Sequence, residues 1–317
     1  MKNNTRPKPD HSSFVCPCVK KSPLQLSDDK LLCNCGECPH SNFASAFRLV
    51  DGVPIIISDR VCDTVCDPEK VTSYVQRSSP WISSILRSLT GTSSITRANV
   101  DKFRRHLNAQ NEMAQILVIG AGECGSGTEA LWGDPQIEIE GVDIYRAETV
   151  SVVCDAHYLP YPDETFDGVW IQAVLEHVVE PWVVVAEIHR VLKKSGLIYA
   201  ETPFMQQVHE GAYDFTRFTV LGHRYLFRDF EIIDAGGNKG AETVLAWSFR
   251  YFIWALTRSR LIARLVGIGT QLLLRPFAML LSPRALFDSS SGVYFLGRKS
   301  TKRISHRELT KLYEGLG

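Results

Sequence analysis

The sequence predicts an α/β protein: a doubly wound, mostly parallel sheet of seven strands, preceded by a small cysteine-rich β module. Three observations carry that prediction. From Asn111 onward, apolar runs of strand length alternate with helix-length amphipathic stretches, the pattern of a parallel sheet with crossover helices. The first apolar run, Ile116 to Ile119, opens onto a glycine turn that contains Gly120, Gly122 and Gly125. Five of the nine cysteines lie between residues 14 and 58, in clusters on either side of a strand–turn–strand pattern.

Composition bounds the rest. The 317 residues carry 35 basic and 35 acidic side chains, so no generally basic surface exists for nucleic acid and no nucleic-acid partner is expected. The opening "MKNNTRPKPDHSS" lacks the apolar core of a secretory signal, which implies a cytoplasmic protein and cysteines that act as thiols or metal ligands. By texture, residues 1–13 read as a disordered tail, 14–58 as the β module and 59–110 as a helical linker, with "SPWISSILRSL" its best helix. Residues 111–300 read as the main domain and 301–317 as a C-terminal tail.

Within the main domain, strands are predicted at 116–119, 137–142, 150–153, 166–171 and 197–201, with two more near 230–235 and 293–298. Helices fit 126–132, 181–194 and 217–227. In the longest, Pro181 occupies the first turn, where its missing N–H does no harm. Val184, Val185, Ile188, Val191 and Leu192 recur with helical spacing, and "KKSG" supplies the positive charge and glycine that close a helix. Residues 243–287 form a basic apolar insertion before the last strand, rich in arginine and large apolar side chains and free of acids. Such a segment either packs on the domain or lies on a membrane as a peripheral contact at its inner surface.

The glycine turn constrains the ligand. Gly120 and Gly122 let backbone N–H groups approach closely, and the helix start beyond Gly125 offers unpaired donors. The next strand, "IEIEGVD", ends at Asp143, placed to accept two ribose hydroxyls. Those features suit a nicotinamide dinucleotide or S-adenosylmethionine equally.

The following stretch separates the two. "VVCDAHYLPYPDETFDGVWIQAVLEHVVEP" carries Asp155, Leu159-Pro160-Tyr161, Phe166-Asp167 and Leu175-Glu176-His177-Val178, and "EIHRVLKKSGLIYAETP" follows it. This run resembles the class I S-adenosylmethionine-dependent methyltransferases over roughly 116–236, with "GVYFLGRKS" similar to their late antiparallel strand. The resemblance implies a Rossmann-like fold with S-adenosylmethionine as cofactor. It also implies that Asp155 accepts the adenine amino group, that the Ala156 N–H meets a ring nitrogen and that Gln172 lines the methionine end. Glu176 and His177 read as scaffold. The turn departs from the family's commoner G-x-G-x-G, and the added Cys124 reads as a small buried filler.

For the acceptor, "ETPFMQQVHEGAYDFTRFTVLGHRYLF" resembles a loop found in a subset of the family, with a histidine followed by an aspartate–aromatic–x–arginine run. His209 is the best candidate base and Asp214 or Glu210 its orienting acid, while Asp214 and Arg217 can alternatively pair to hold the loop shut. His223 reads as structural. The implied activity is methyl transfer to oxygen or nitrogen of a small metabolite, saccharide or lipid-linked substrate. A NAD(P)-dependent oxidoreductase and a non-catalytic methyltransferase-like binding protein are the alternatives.

The module "CPCVKKSPLQLSDDKLLCNCGEC", followed by "VDGVPIII", resembles the zinc-ribbon-like modules that precede or partner some methyltransferases. Cys16 and Cys18 supply one pair; Cys33, Cys35 and Cys38 compete for the other, and the C-x-x-C spacing favours Cys35 with Cys38 around a structural zinc. Cys62 and Cys66 are alternative ligands.

Overall fold

A computed structural model of the chain describes residues 13–72, 94–110, 112–125 and 127–316. Residues 1–12 of the expected 1–13 tail and the linker helix "SPWISSILRSL" lie outside the described residues.

The main domain is built on β5 (Ala114–Ile119), β6 (Ile137–Asp143), β7 (Val152–Cys154), β8 (Phe166–Gln172), β9 (Leu192–Pro203), β10 (Phe230–Gly237) and β11 (Gly292–Lys299). Their order across the sheet is β7-β6-β5-β8-β9-β11-β10. The first five run parallel, while β11 enters antiparallel between β9 and β10. The seven predicted strands and the mostly parallel, doubly wound arrangement are therefore present.

Alternation along the strands explains why both faces need cover. Leu117, Ile119, Val169, Ile171, Ile198 and Ala200 project to one side, and Ile116, Val118, Trp170, Leu197 and Tyr199 to the other. The first side is covered by α3 (Pro181–Val191), through Val184, Val185, Ile188 and Val191. The second is covered by α1 (Ser94–Asn108), whose Val100, Phe103 and Leu107 are buried at helical spacing. Phe103 meets Trp170 edge-on at 5.4 Å, and Trp170 stacks on Tyr199 at 4.0 Å.

Two helix expectations need correction. The helix after the glycine turn, α2 (Glu129–Trp132), ends where expected but starts at Glu129 rather than 126, because the chain is still turning there: Gly127 stands at φ 90° and the Thr128 N–H donates to the Gly125 carbonyl at 3.2 Å. Alpha-3 ends at Val191 rather than 194: "KKSG" opens β9 instead, with Ser195 in the left-handed region at φ 62° and the Lys193 ammonium on Asp167 at 2.9 Å. The predicted 217–227 helix is α4 (Val220–Leu226), N-capped by Thr219.

The cysteine-rich segment forms β1 (Leu24–Ser27), β2 (Lys30–Cys33), β3 (Phe47–Val50) and β4 (Val53–Ile56), successive strands pairing antiparallel. Asp51 and Gly52, both at positive φ, make the tight β3–β4 turn. Strand β4 then pairs parallel with β7 through Ile55–Val153 and Ile56–Cys154, so the module extends the main sheet.

Between β10 and β11 lies a helical hairpin, α5 (Ala241–Thr257) and α6 (Arg260–Leu274), followed by a 3-10 segment at Arg275–Leu280 and the short α7 (Ala285–Ser289). A last short helix, α8 (His306–Thr310), begins with a capping box from Ser305 and Glu308.

Candidate active site

The carboxyl ends of β5, β6, β7, β8 and β9 meet on one edge of the sheet, the usual ligand edge of an open α/β fold. Gly120 leaves β5 at φ +81°, and a Cβ there would lie 2.3 Å from a Val174 methyl, so only glycine fits. Asp143, at the end of β6, fastens the turn: its carboxylate accepts the Gly122 and Ile144 N–H groups, each at 2.7 Å. The sequence placed Asp143 beside this turn; its hold on the Gly122 backbone is an additional role.

Gln172 ends β8 above the turn. A Cβ on Gly125 would sit 2.4 Å from its amide oxygen, and that oxygen is buried with no hydrogen-bond partner among the described residues. A buried orphan acceptor is costly unless something meets it. The glycine cradle, the Asp143 carboxylate and this orphaned amide together fit an adenosyl ligand with an amino-acid end.

Asp155 is more committed than expected. It caps the 3-10 turn Ala156–Tyr158 by accepting the His157 N–H at 2.9 Å and also faces the His157 ring at 2.5 Å. Thr64 donates its hydroxyl to the second oxygen, and Cys66 lies 3.7 Å from it. Burial alone would raise its pKa, but the bonds from His157 and Thr64 hold it below the ordinary carboxylate range. Ala156 is buried in the same turn. Cys66 belongs to this contact and Cys62 reaches the Pro17 carbonyl, so neither joins the cysteine cluster below. Cys124 is exposed, not the buried filler expected, because the turn carries it outward.

Glu201, near the end of β9, was missed by sequence reasoning. It is reached by the Tyr199 hydroxyl at 2.9 Å, by Thr96 of α1 at 3.1 Å, by the Gln172 amide at 3.4 Å and by Asn238. Burial raises its pKa despite those donors. The available signal was a lone acid inside the apolar strand "LIYAETP".

On the acceptor side, the loop after β9 folds back on the loop after β8: Phe215 N–H donates to the Glu176 carbonyl at 2.8 Å. The Asp214 side chain is covered and clamped by the Arg217 guanidinium, which holds its pKa at about 2 against the opposing effect of burial. It also accepts the His209 N–H at 2.9 Å and lies 3.2 Å from His209 Nδ1. Asp214 thus contacts both His209 and Arg217. Burial and the neighbouring His177 lower the His209 pKa, which favours the neutral ring. Glu176 Oε1 lies 3.9 Å from His209 Nε2, and burial pushes the Glu176 carboxyl up to about 8, so it is protonated at neutrality. His223 is buried against Thr202 at 3.0 Å, a structural position as expected.

Against known proteins, residues 117–200 match the family described as a methyltransferase domain. The chain carries a class I methyltransferase fold. The chain is 42% identical over 74 residues to a ubiquinone/menaquinone biosynthesis C-methyltransferase of Saccharophagus degradans, covering 23% of this chain and 30% of that one. It is 29% identical over 110 residues to the 27-O-demethylrifamycin SV methyltransferase of Amycolatopsis mediterranei, covering 27% and 40%. The chain thus spans less than half the length of these curated relatives. Among solved structures, it is similar to an S-adenosylmethionine-dependent methyltransferase from Archaeoglobus fulgidus, with 18% identity, coverage of 69% and 100%, and a TM-score of 0.41.

Ahead of the methyltransferase domain, four cysteine sulfurs gather within 4.8 Å of one another: Cys16, Cys18, Cys33 and Cys38. Cys16–Cys38 and Cys18–Cys33 are each 3.9 Å apart, close to the roughly 3.8 Å edge of a tetrahedron with ~2.3 Å zinc–sulfur bonds. The residues fit a structural zinc, with one correction: Cys33, not Cys35, is the fourth sulfur. Strand alternation decides this, because Cys33 shares the buried face of β2 with Leu31. Cys35 instead accepts the Cys38 N–H at 3.2 Å, and backbone donors around Glu37 lower its pKa to about 6.

Proposed function

We propose that this protein transfers a methyl group from S-adenosylmethionine to an oxygen or nitrogen of a small-molecule, saccharide or lipid-linked acceptor. The observation that carries the reading is β11, antiparallel between β9 and β10. A dinucleotide-binding sheet continues with a parallel strand at that place, which argues against the NAD(P)-dependent alternative despite the glycine turn.

The bound cofactor supplies an electrophilic methyl on a sulfonium; the chain's own residues position and deprotonate. In this reading Gly120, Gly122 and Asp143 hold the ribose region, Asp155 and Ala156 face the adenine, and Gln172 meets the amino-acid end. Displacement at a methyl carbon is in line, so orientation by these groups contributes much of the rate. His209 takes the acceptor proton at Nε2, while the Asp214 carboxylate keeps the other ring proton on Nδ1 and stabilises the imidazolium that forms. Burial of Glu176 favours its neutral form, which limits competing negative charge beside that ring.

Labelled methyl transfer into fractionated cell extract tests this reading. An acceptor fraction labelled by the wild type and not by His209→Gln is expected. Equal labelling by both would remove His209 from the chemistry. Absence of labelling together with undisturbed cofactor binding would favour a non-catalytic binding protein.

A further inference from the structure

The α5–α6 hairpin is packed the wrong way round for a helix pair in water. Its buried residues are small: Thr243 and Ala246 on α5, Ala263 and Gly267 on α6. Gly267 lets the helices close, since a Cβ there would lie 3.0 Å from that of Arg250. Many of the large apolar side chains face outward instead. Leu245, Phe249, Phe252 and Leu256 make one exposed stripe on α5; Leu261, Leu265 and Leu272, flanked by Ile262 and Leu273, make another on α6. Phe277, Met279 and Leu280 extend it, Met279 being 91% exposed. Small residues buried, with a glycine at the helix contact, and large ones outside is the packing of helices whose surroundings are lipid, and an apolar patch this long exceeds what a monomer ordinarily shows to water.

Charge selects the occupant. Residues 243–287 contain Arg250, Arg258, Arg260, Arg264, Arg275 and Arg284 and no acid, and none of these arginines forms an ion pair among the described residues. Arg258 and Arg260 flank the hairpin tip, and Arg275 follows α6. Unneutralised guanidinium groups around an apolar face match anionic headgroups over acyl chains. The stretch Arg260–Leu280 is long and apolar enough by composition to cross a membrane, yet α6 itself spans only 15 residues and carries Arg264 within it. That favours lying in the interface over spanning it.

The hairpin is also fastened to the acceptor loop. Tyr251 donates its hydroxyl to the Val208 carbonyl at 2.9 Å, and Gln207 donates its amide to Ser248 at 3.1 Å; the same loop exposes Met205, Val208, Tyr213 and Phe215. We infer that the α5–α6 hairpin docks this protein on an anionic bilayer surface and presents the His209 loop to an acceptor held in that surface by a lipid anchor. The lipid-anchored acceptor rests on the proposed methyl transfer; the docking does not.

Flotation of the full chain with vesicles tests it. Phosphatidylcholine vesicles containing phosphatidylglycerol should carry the protein and blue-shift the emission of Trp254, and pure phosphatidylcholine should carry far less. Arg258→Gln with Arg260→Gln should weaken binding roughly 25-fold, and Leu261→Glu with Leu265→Glu should abolish it, while S-adenosylmethionine affinity stays at the wild-type value in both. These four side chains lie at or near the surface, so folding is expected to survive, and unchanged circular dichroism checks it. Indifference to vesicles of either composition would overturn the inference. So would resistance to alkaline extraction, which indicates spanning, or a vesicle-free dimer dispersed by the same leucine substitutions. Loss of cofactor binding with intact flotation would strike only the methyl-transfer reading.

Discussion

His209 and Asp214 touch twice: the Asp214 carboxylate receives the main-chain N–H of His209 at 2.9 Å and faces its ring Nδ1 at 3.2 Å. One acid therefore fixes both the backbone and the tautomer of the candidate base. Asp214→Asn is expected to lower kcat on the labelled acceptor about 100-fold, with S-adenosylmethionine affinity unchanged. The rate should fall on the acid side as His209 takes a proton, at a pH below the ordinary histidine value. Asp214 raises that pKa, so the limb should move to still lower pH in the variant. A pH–rate profile checks both; an unmoved limb would assign it to another group.

The cysteine cluster gives a second prediction. Cys33→Ser should remove zinc and lower the melting temperature, whereas Cys35→Ser should retain the metal, because Cys35 stands outside the tetrahedron. Metal analysis of the two purified variants decides between them. Zinc lost from Cys35→Ser and kept in Cys33→Ser would reverse the assignment.

That contrast shows where the sequence was legible. Seven strands, the glycine turn and Asp143 follow from alternation, spacing and motif, each a local property of the chain, whereas the loop motif left both Asp214 and Glu210 open as the partner of His209. Choosing Cys35 over Cys33 relied on C-x-x-C spacing, while the fold chose by which face of β2 points inward. The late start of α2 could have been foreseen from Gly127, which stands at φ 90° ahead of it. Contacts made across the sheet edge were not readable: Thr64 on Asp155, or Thr96 and Asn238 on Glu201, join residues up to 105 positions apart. The hairpin's apolar content was plain, but whether its large side chains faced the domain or solvent depended on tertiary packing.

Histidine 223 should make stability depend on pH. Burial holds its pKa down to about 3 in the folded chain, against about 6.5 when unfolded. Between those values the unfolded chain binds a proton that the folded chain excludes, so this contribution is intact above pH 6.5 and declines as pH falls toward 3. Urea unfolding at pH 6.5 and pH 5 should show the wild type losing about 2 kcal/mol more than His223→Gln over that interval. Equal losses would mean that His223 protonates without cost in the fold.

The central claim is the identity of the cofactor, and isothermal titration tests it most directly. S-Adenosylmethionine and S-adenosylhomocysteine should bind the wild type, NADH should not, and Asp143→Ala should weaken the adenosyl ligands at least about tenfold by removing a ribose acceptor and loosening Gly122. Folded protein that binds NADH and neither adenosyl ligand would contradict the account.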